Sequence, residues 1–361
     1  MSNSKVYENI LEDFSLFLKD NSSYKKKEIE IIIDLLNRYK LSNNKKNDIN
    51  IILKLNEIVF KHIKSNNNYS LTNVLNKNAN SLIYKDCNLK SRHIWILRSI
   101  ISRLKLYKRK NNSDCNSRSI INNEGILKVS NFLDNSYLEK IYKELQFEPL
   151  ALNKGETKTI NFSGRLFSKL NFYPQRLKYS ALVLERISKF IYPLGYADNF
   201  KTIQSLVKRT SFWQKINIMN KENDIQKDCH MDTFFPSLKF WYFPFSVSKK
   251  LAFKYAKRSN QLTLERMYIE SKKVNKILWN SNYSPKNISS DSYKSQLEGS
   301  LRFNVKDLDK MNLNLESHSV DPNTLIIADV SGLHSRSIGE DEISNSLRIG
   351  IHGNIRHLDI F

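Results

Sequence analysis

Short runs of aromatic and β-branched residues dominate the second half of the chain and constrain its fold most. Beyond residue 200 they are SFWQKINIM, FFPSLKFWYFPF, NTLIIADV and LRIGIHGNI. Runs of this length and composition predict β-strands. Because turn-forming segments separate them, we expect a sandwich or barrel rather than a βαβ sheet.

The first 110 residues have a different pattern. Apolar residues recur at three- and four-residue intervals in YENILEDFSLFL, EIEIIIDLLNRY and INIILKLNEIVFKHI, and the stretch has no glycine or proline. Both features favour helices joined by polar turns. A further helix is predicted in SRHIWILRSIISRLKLYKRK, which is apolar on one side and basic at its C-terminal end. It either packs on its neighbours, with its cations complementing the helix dipole, or offers a basic surface to an anionic lipid or partner.

The polar, poorly periodic segment KNNSDCNSRS predicts a linker near residues 110–119. We therefore expect two parts: a helical, basic N-terminal region of unassigned role over residues 1–115, and a second domain over residues 116–361. The second begins with NNEGILKVSNFLDNSYLEKIYKELQ, which predicts a short strand followed by a helix.

Composition narrows the cellular setting. The formal charge of +22 would fit an anionic partner. The whole sequence is rich in Asn, Lys and Ile together, so much of the lysine excess reflects composition, and no specific nucleic acid is expected. Only three cysteines occur, Cys87, Cys115 and Cys229, which suits reduced thiols. There is neither a long apolar run nor a secretory layout at the start, so we expect a cytoplasmic protein without a transmembrane segment. Its oligomeric state is left open.

The segment QKDCHMDTFF contains a candidate metal-binding pair. On a strand, side chains two positions apart point to the same face, so His230 and Asp232 can bind one metal while Met231 points away. A His-x-Asp triplet alone is weak evidence, because a surface histidine beside a helix-capping aspartate gives the same pattern.

Two later residues strengthen the metal hypothesis. His334 lies in IIADVSGLHSRS, directly after an apolar strand pattern, and Arg348 lies in SNSLRIGIHGNI, on the next predicted strand. Two imidazoles and one carboxylate bind one face of an octahedral Fe(II) and leave positions for a 2-oxo acid and O₂. An arginine suits the distal carboxylate of that acid, because its planar fork binds carboxylates bidentately. Arg336 is a rival for this role, since it would share the face of His334.

These motifs, together with KFWYF, RSNQLTLERM and NEGILKVSNFL, resemble the phytanoyl-CoA dioxygenase-like family, most of all its bacterial members. The resemblance runs from about residue 120 to the end. Relatives commonly have a Pro-Gly-Ser-His-like turn where this chain has FKYAKRSNQLTLERM. That departure concerns the substrate-side loop rather than the metal ligands.

The resemblance implies a mainly β catalytic domain, a double-stranded β-helix or jelly roll of the cupin-like kind with flanking helices, preceded by the all-α N-terminal region. It implies Fe(II) bound by His230, Asp232 and His334, and 2-oxoglutarate bound by Arg348. Similar proteins often direct three further positions at the co-substrate or the mouth of the site; here these are Gln226, Thr233 and Lys239.

The activity implied is hydroxylation of a small-molecule substrate, with O₂ consumed and succinate and CO₂ released. The alternative is a non-catalytic β-helix protein whose basic helical N-terminus binds an anionic partner or surface.

Overall fold

The computed structural model describes residues 3–19, 26–42, 91–108, 116–152, 177–217, 228–249, 251–279, 301–336 and 347–356, with short pieces between 47 and 55 and between 159 and 174. Its helices are α1 (Asn3–Lys19), α2 (Lys26–Leu41), α3 (Ser91–Lys108), α4 (Asn116–Glu124), α5 (Asn135–Leu152), α6 (Lys178–Ile191), α7 (Phe200–Thr210), α8 (Leu264–Trp279) and α9 (Val305–Lys310). Its strands are β1 (Ile126–Val129), β2 (Thr159–Phe162), β3 (Arg165–Ser168), β4 (Leu170–Phe172), β5 (Phe212–Asn217), β6 (Cys229–His230), β7 (Leu238–Phe243), β8 (Phe253–Ala256), β9 (Arg302–Phe303), β10 (Leu315–His318), β11 (Thr324–Asp329), β12 (His334–Arg336) and β13 (Leu347–Ile355).

Two antiparallel sheets form the centre of the molecule. The major sheet has six strands in the order β1-β11-β7-β13-β5-β4, and the minor sheet has five in the order β10-β8-β12-β6-β9. Strands β2 and β3 form a separate hairpin. The four apolar runs of the sequence become β5, β7, β11 and β13, so their prediction as strands is confirmed.

The two sheets face each other, as the alternation along β7 demonstrates. Trp241 and Phe243 share an apolar cluster with Phe253 and Tyr255 of β8, and the ring centroids of Trp241 and Phe253 are 4.5 Å apart. The intervening Tyr242 belongs to a second cluster, on the opposite face of the major sheet. A period of two therefore gives each strand one face toward the other sheet and one toward helices.

Helices cover both outer faces. On the major sheet, α6 contributes buried residues that include Val183, Ile187 and Ile191, at the spacing of one helical face. Helix α7 packs beside it and is capped by Asn199, whose side chain accepts a hydrogen bond from the Thr202 backbone N–H (2.8 Å). One residue separates its end from β5, and the hydroxyl of Thr210 donates a hydrogen bond to the carbonyl of Asn354 near the end of β13 (2.8 Å).

The minor sheet is covered by α8 and by the N-terminal helices. Phe14 of α1, Leu36 of α2 and Ile100 of α3 share one apolar cluster with Met231 and Phe234. The expected boundary between residues 115 and 116 stays a prediction, but these helices pack directly behind the segment that carries the candidate ligands. The prediction of a linker over residues 110–119 is wrong for residues 116–119, because α4 begins at Asn116 and buries Arg118 and Ile121.

None of the helices in the part of the chain described above is both long and apolar enough to cross a membrane.

Candidate metal centre

The two candidate histidines lie on paired strands. His230 ends β6 and His334 begins β12, and the two residues are directly opposite each other in the antiparallel register. Opposed residues of an antiparallel pair present their side chains on the same face, and here that face is turned toward the major sheet. Cys229 and Met231 point the other way, into the helix-covered cluster.

Asp232 joins the histidines from the segment after β6. Its backbone N–H donates to the carbonyl of Val330 (2.9 Å), which holds this segment to the chain just before His334. Asp232 Oδ1 lies 3.7 Å from His230 Nε2 and 3.6 Å from His334 Nε2. One ligand atom from each of the three side chains lies within 4.8 Å of the other two. The expected triad is thus brought together in space.

Backbone carbonyls orient both imidazoles. His230 Nδ1 lies 2.7 Å from the carbonyl oxygen of Asp228, and His334 Nδ1 lies 3.0 Å from that of Gly332. A carbonyl only accepts hydrogen bonds, so each ring carries its proton on Nδ1 and presents the Nε2 lone pair to the site. Burial, and then the electrostatic effects of the neighbouring His334 and Arg302, hold the pKa of His230 well below its usual range. His230 is therefore neutral at pH 7, as a metal ligand must be.

Two cations hold the outer oxygen of Asp232. Oδ2 forms an ion pair with Lys239 Nζ and lies 3.4 Å from Nη2 of Arg356. Burial by itself would raise the pKa of Asp232, but Lys239 and the two histidines outweigh it and hold the pKa well below its usual range. Asp232 is therefore ionised, with Oδ2 occupied and Oδ1 facing the two Nε2 atoms.

This donor set fits an Fe(II) ion. Two neutral nitrogens and one carboxylate oxygen, all from one side of the site, leave the other side open for further ligands. His230 and His334 are 2% and 3% exposed, so the ligands lie in a dry environment that favours metal binding over hydration of the side chains.

Arg348 lies on β13 and points between the sheets. It is 6% exposed, its guanidinium carbon lies 5.1 Å from the centre of the Phe243 ring, and Nη1 donates to the carbonyl of Leu251 (3.4 Å). Within the described ranges, no carboxylate pairs with it. Burial first, and the charge of Arg336 second, lower the pKa of Arg348 to about 10. Arg348 is thus a buried cation without an anionic partner among the described residues.

Arg336 shares a strand with His334, and its position in the register is opposite Phe253. The electrostatic effect of Arg336 on Arg348 means that the two rival arginines of the sequence prediction lie near each other. The fold therefore places two cations, rather than one, in the same region between the sheets.

The structure places the three further positions expected near the co-substrate in different surroundings. The hydroxyl of Thr233 donates to the carbonyl of Phe235 (2.7 Å) and contacts Ser237 Oγ (2.8 Å), so it is engaged within its own turn. Lys239 is engaged with Asp232. Gln226 lies outside the described residues. The expected roles of all three toward a co-substrate stay predictions.

Sequence reasoning missed two cations beside the triad. Arg356 follows β13 and contacts Asp232. Arg302 of β9 is directly opposite His230, and the charges of Asp228 and Asp232 act on its guanidinium. Neither belongs to a motif around the ligands. Strand pairing identifies Arg302, and the contact with Asp232 identifies Arg356.

No protein-family model and no curated protein matches this chain. Among solved structures it is similar to the epimerase SnoN in complex with Fe³⁺, alpha ketoglutarate and nogalamycin RO (TM-score 0.40, 11% identity, 66% of this chain and 81% of that one). It is also similar to EctD from S. alaskensis with bound Fe (TM-score 0.39, 8% identity, 68% and 78%). A third is HygX from Streptomyces hygroscopicus with nickel and 2-oxoglutarate (TM-score 0.33, 9% identity, 68% and 87%). At these TM-scores the similarities carry no weight for function, which depends on the site itself.

Proposed function

We propose that this protein is a non-haem Fe(II)- and 2-oxoglutarate-dependent dioxygenase that hydroxylates a small molecule. The observation that carries the proposal is the convergence of Nε2 of His230, Nε2 of His334 and Oδ1 of Asp232 on one point between the sheets. Two facing antiparallel sheets around such a triad are consistent with a double-stranded β-helix of the phytanoyl-CoA dioxygenase-like kind.

Each residue has a defined task in this proposal. His230, Asp232 and His334 would hold the iron, and their hydrogen bonds to carbonyls and cations keep the three ligand atoms oriented when no substrate is present. Bound iron, with 2-oxoglutarate and O₂, supplies an oxidant able to remove hydrogen from a C–H bond, and 2-oxoglutarate leaves as succinate and CO₂.

Arg348 would bind the distal carboxylate of 2-oxoglutarate. A buried guanidinium is costly unless an anion neutralises it, and a planar fork matches a carboxylate in two hydrogen bonds. Arg336 adds a second positive charge to the same region. The ring of Phe243, which lies against the guanidinium of Arg348, belongs to a buried apolar cluster with Trp241 and Phe253.

The test is anaerobic addition of Fe(II) and 2-oxoglutarate to the metal-free protein. We expect the weak visible metal-to-ligand charge-transfer band of the chelate. The band should disappear in His334→Ala and weaken in Arg348→Ala, and Asp232→Ala should abolish coupled succinate formation.

His318→Ala is the matched control. His318 lies on β10 of the same minor sheet, outside the set of ligands, so the band should persist in this variant. A band of equal strength in His334→Ala, or full succinate formation by Asp232→Ala, would contradict the assignment.

A further inference from the structure

A cleft of about 360 Å³ opens beside the metal centre, at the end of β13 opposite to Arg348. Its apolar wall includes Leu206 and Phe212, and its polar wall includes Arg209, Lys239 and Arg356. The volume lies within the range of small-molecule sites, roughly 300–1,000 Å³.

The cleft is adjacent to Asp232, one of the candidate iron ligands. Lys239 and Arg356 line it, and both contact Oδ2 of Asp232. A molecule in the cleft therefore lies next to the carboxylate whose other oxygen faces the two histidines. This adjacency makes the cleft a place for the molecule that is oxidised.

The co-substrate has a different place. Arg348 and Asn354 are on the same strand, six residues apart, which corresponds to roughly 20 Å along β13. Asn354 lines the cleft, whereas Arg348 contacts Leu251 and Phe243. The cations of the cleft are thus separate from the arginine proposed for 2-oxoglutarate.

The charged side chains that line the cleft are all cations. Arg209, Lys239 and Arg356 line it, and no aspartate or glutamate is among its described lining residues. Asp232 offsets one of these charges, and Arg209 has no ion pair with any described carboxylate. Among the described residues, the cations of the cleft therefore outnumber the carboxylates near it, and an excess of positive charge beside a low-dielectric wall attracts anions.

We infer that the substrate carries a carboxylate or phosphate group, which Arg209 and its neighbouring cations bind at the mouth of the cleft, while a short apolar body lies against Leu206 and Phe212. This inference rests on the proposed function and adds the class of substrate to it. Arg209 is then a residue that determines specificity rather than one that holds the metal.

Calorimetric titration of the full-length protein tests this, with Zn(II) in place of Fe(II) and with saturating 2-oxoglutarate, so that Arg348 is occupied. The probes are hexanoate, hexyl phosphate and the neutral hexanamide. We expect at least one anion to bind ten-fold or more tightly than hexanamide, and the better of the two anions identifies the head group. Arg209→Gln should weaken that binding at least five-fold.

Lys208→Gln is the matched control, because Lys208 is exposed on the same helix but is not among the lining residues. Its affinity for the better anion should change less than two-fold. Equal binding of hexanoate and hexanamide, absence of binding by all three probes, or equal losses in the Arg209 and Lys208 variants would overturn the inference.

The charge-transfer experiment separates this inference from the proposed function. A normal band without preference for anions leaves the oxygenase assignment standing and removes the anionic substrate. Anion binding that depends on Arg209, in a protein without the band, leaves the cleft as a binding site and removes the oxygenase assignment.

Discussion

Replacing Arg348 with methionine should stabilise the protein and weaken its binding of 2-oxoglutarate. Methionine has a similar length and no charge, so it can fill the space over Phe243. The guanidinium that it replaces is 6% exposed and lies near a second cation, Arg336. A site that is prepared for a ligand stores unfavourable energy when the ligand is absent.

The size of the effect follows from the pKa of Arg348, which burial and Arg336 lower from 12.5 to about 10. Below pH 10 the group is charged in both the folded and the unfolded chain, so the full cost of roughly 3 kcal/mol applies at neutral pH. It disappears as the pH rises from about 10 toward 12.5. The lost contact with Phe243 offsets about 1 kcal/mol, which leaves a net gain of about 2 kcal/mol, or about 2–3 °C in Tm for a chain of 361 residues.

Thermal denaturation at pH 7 of the Zn(II)-loaded protein measures both consequences. Saturating 2-oxoglutarate should raise the Tm of the parent protein, since a ligand at 100 times its Kd adds about 2.7 kcal/mol, and the same concentration should raise the Tm of Arg348→Met by less. Lys208→Met controls for the loss of one positive charge from a chain of net charge +22. A lower Tm for Arg348→Met than for Lys208→Met would refute the reasoning. Equal stabilisation of these two variants by 2-oxoglutarate would refute it as well.

Three further predictions concern the support of the site. A Cβ added at Gly332 would meet the hydroxyl of Tyr255, so Gly332→Ala should lower the free energy of unfolding by about 1–3 kcal/mol in a denaturant titration. The same variant should bind Zn(II) about ten-fold or more weakly, because the carbonyl of Gly332 orients His334. Unchanged affinity for Zn(II) would contradict this second expectation. Arg103 of α3 donates to the carbonyl of Phe234 (3.0 Å), so Arg103→Met should cost about 2–4 kcal/mol in the same titration. Burial raises the pKa of Cys229 to about 12, so at pH 8 iodoacetamide should alkylate this thiol only after unfolding, and peptide mass spectrometry of the folded protein checks it.

The N-terminal helices illustrate a limit of sequence patterns. Their three- and four-residue spacing predicts helices, and α1, α2 and α3 are helical. The same spacing carries no information about which surface they cover. Ser99 and Arg103 both donate hydrogen bonds to the carbonyl of Phe234, two residues after Asp232. The packing of α3 against this segment, and not the pattern of α3 itself, brings the two side chains there.

The sequence by itself determined what depends on short range. Short runs of aromatic and β-branched residues predicted the strands. The two-residue period of a strand placed His230 and Asp232 on a common face, and the chemistry of their side chains pointed to a metal. His334 follows one strand pattern directly, and Arg348 lies on the next. Such inferences need only the geometry of a single strand.

Only the tertiary structure decided what depends on register and on the facing of the sheets. It placed His334 opposite His230, turned Lys239 and Arg356 onto Asp232 and set Arg302 across from His230. These contacts join segments far apart in the chain, and their geometry comes from strand pairing and from packing across the interior. A pattern read along one strand does not contain that information, because the partner of each side chain is chosen by the fold.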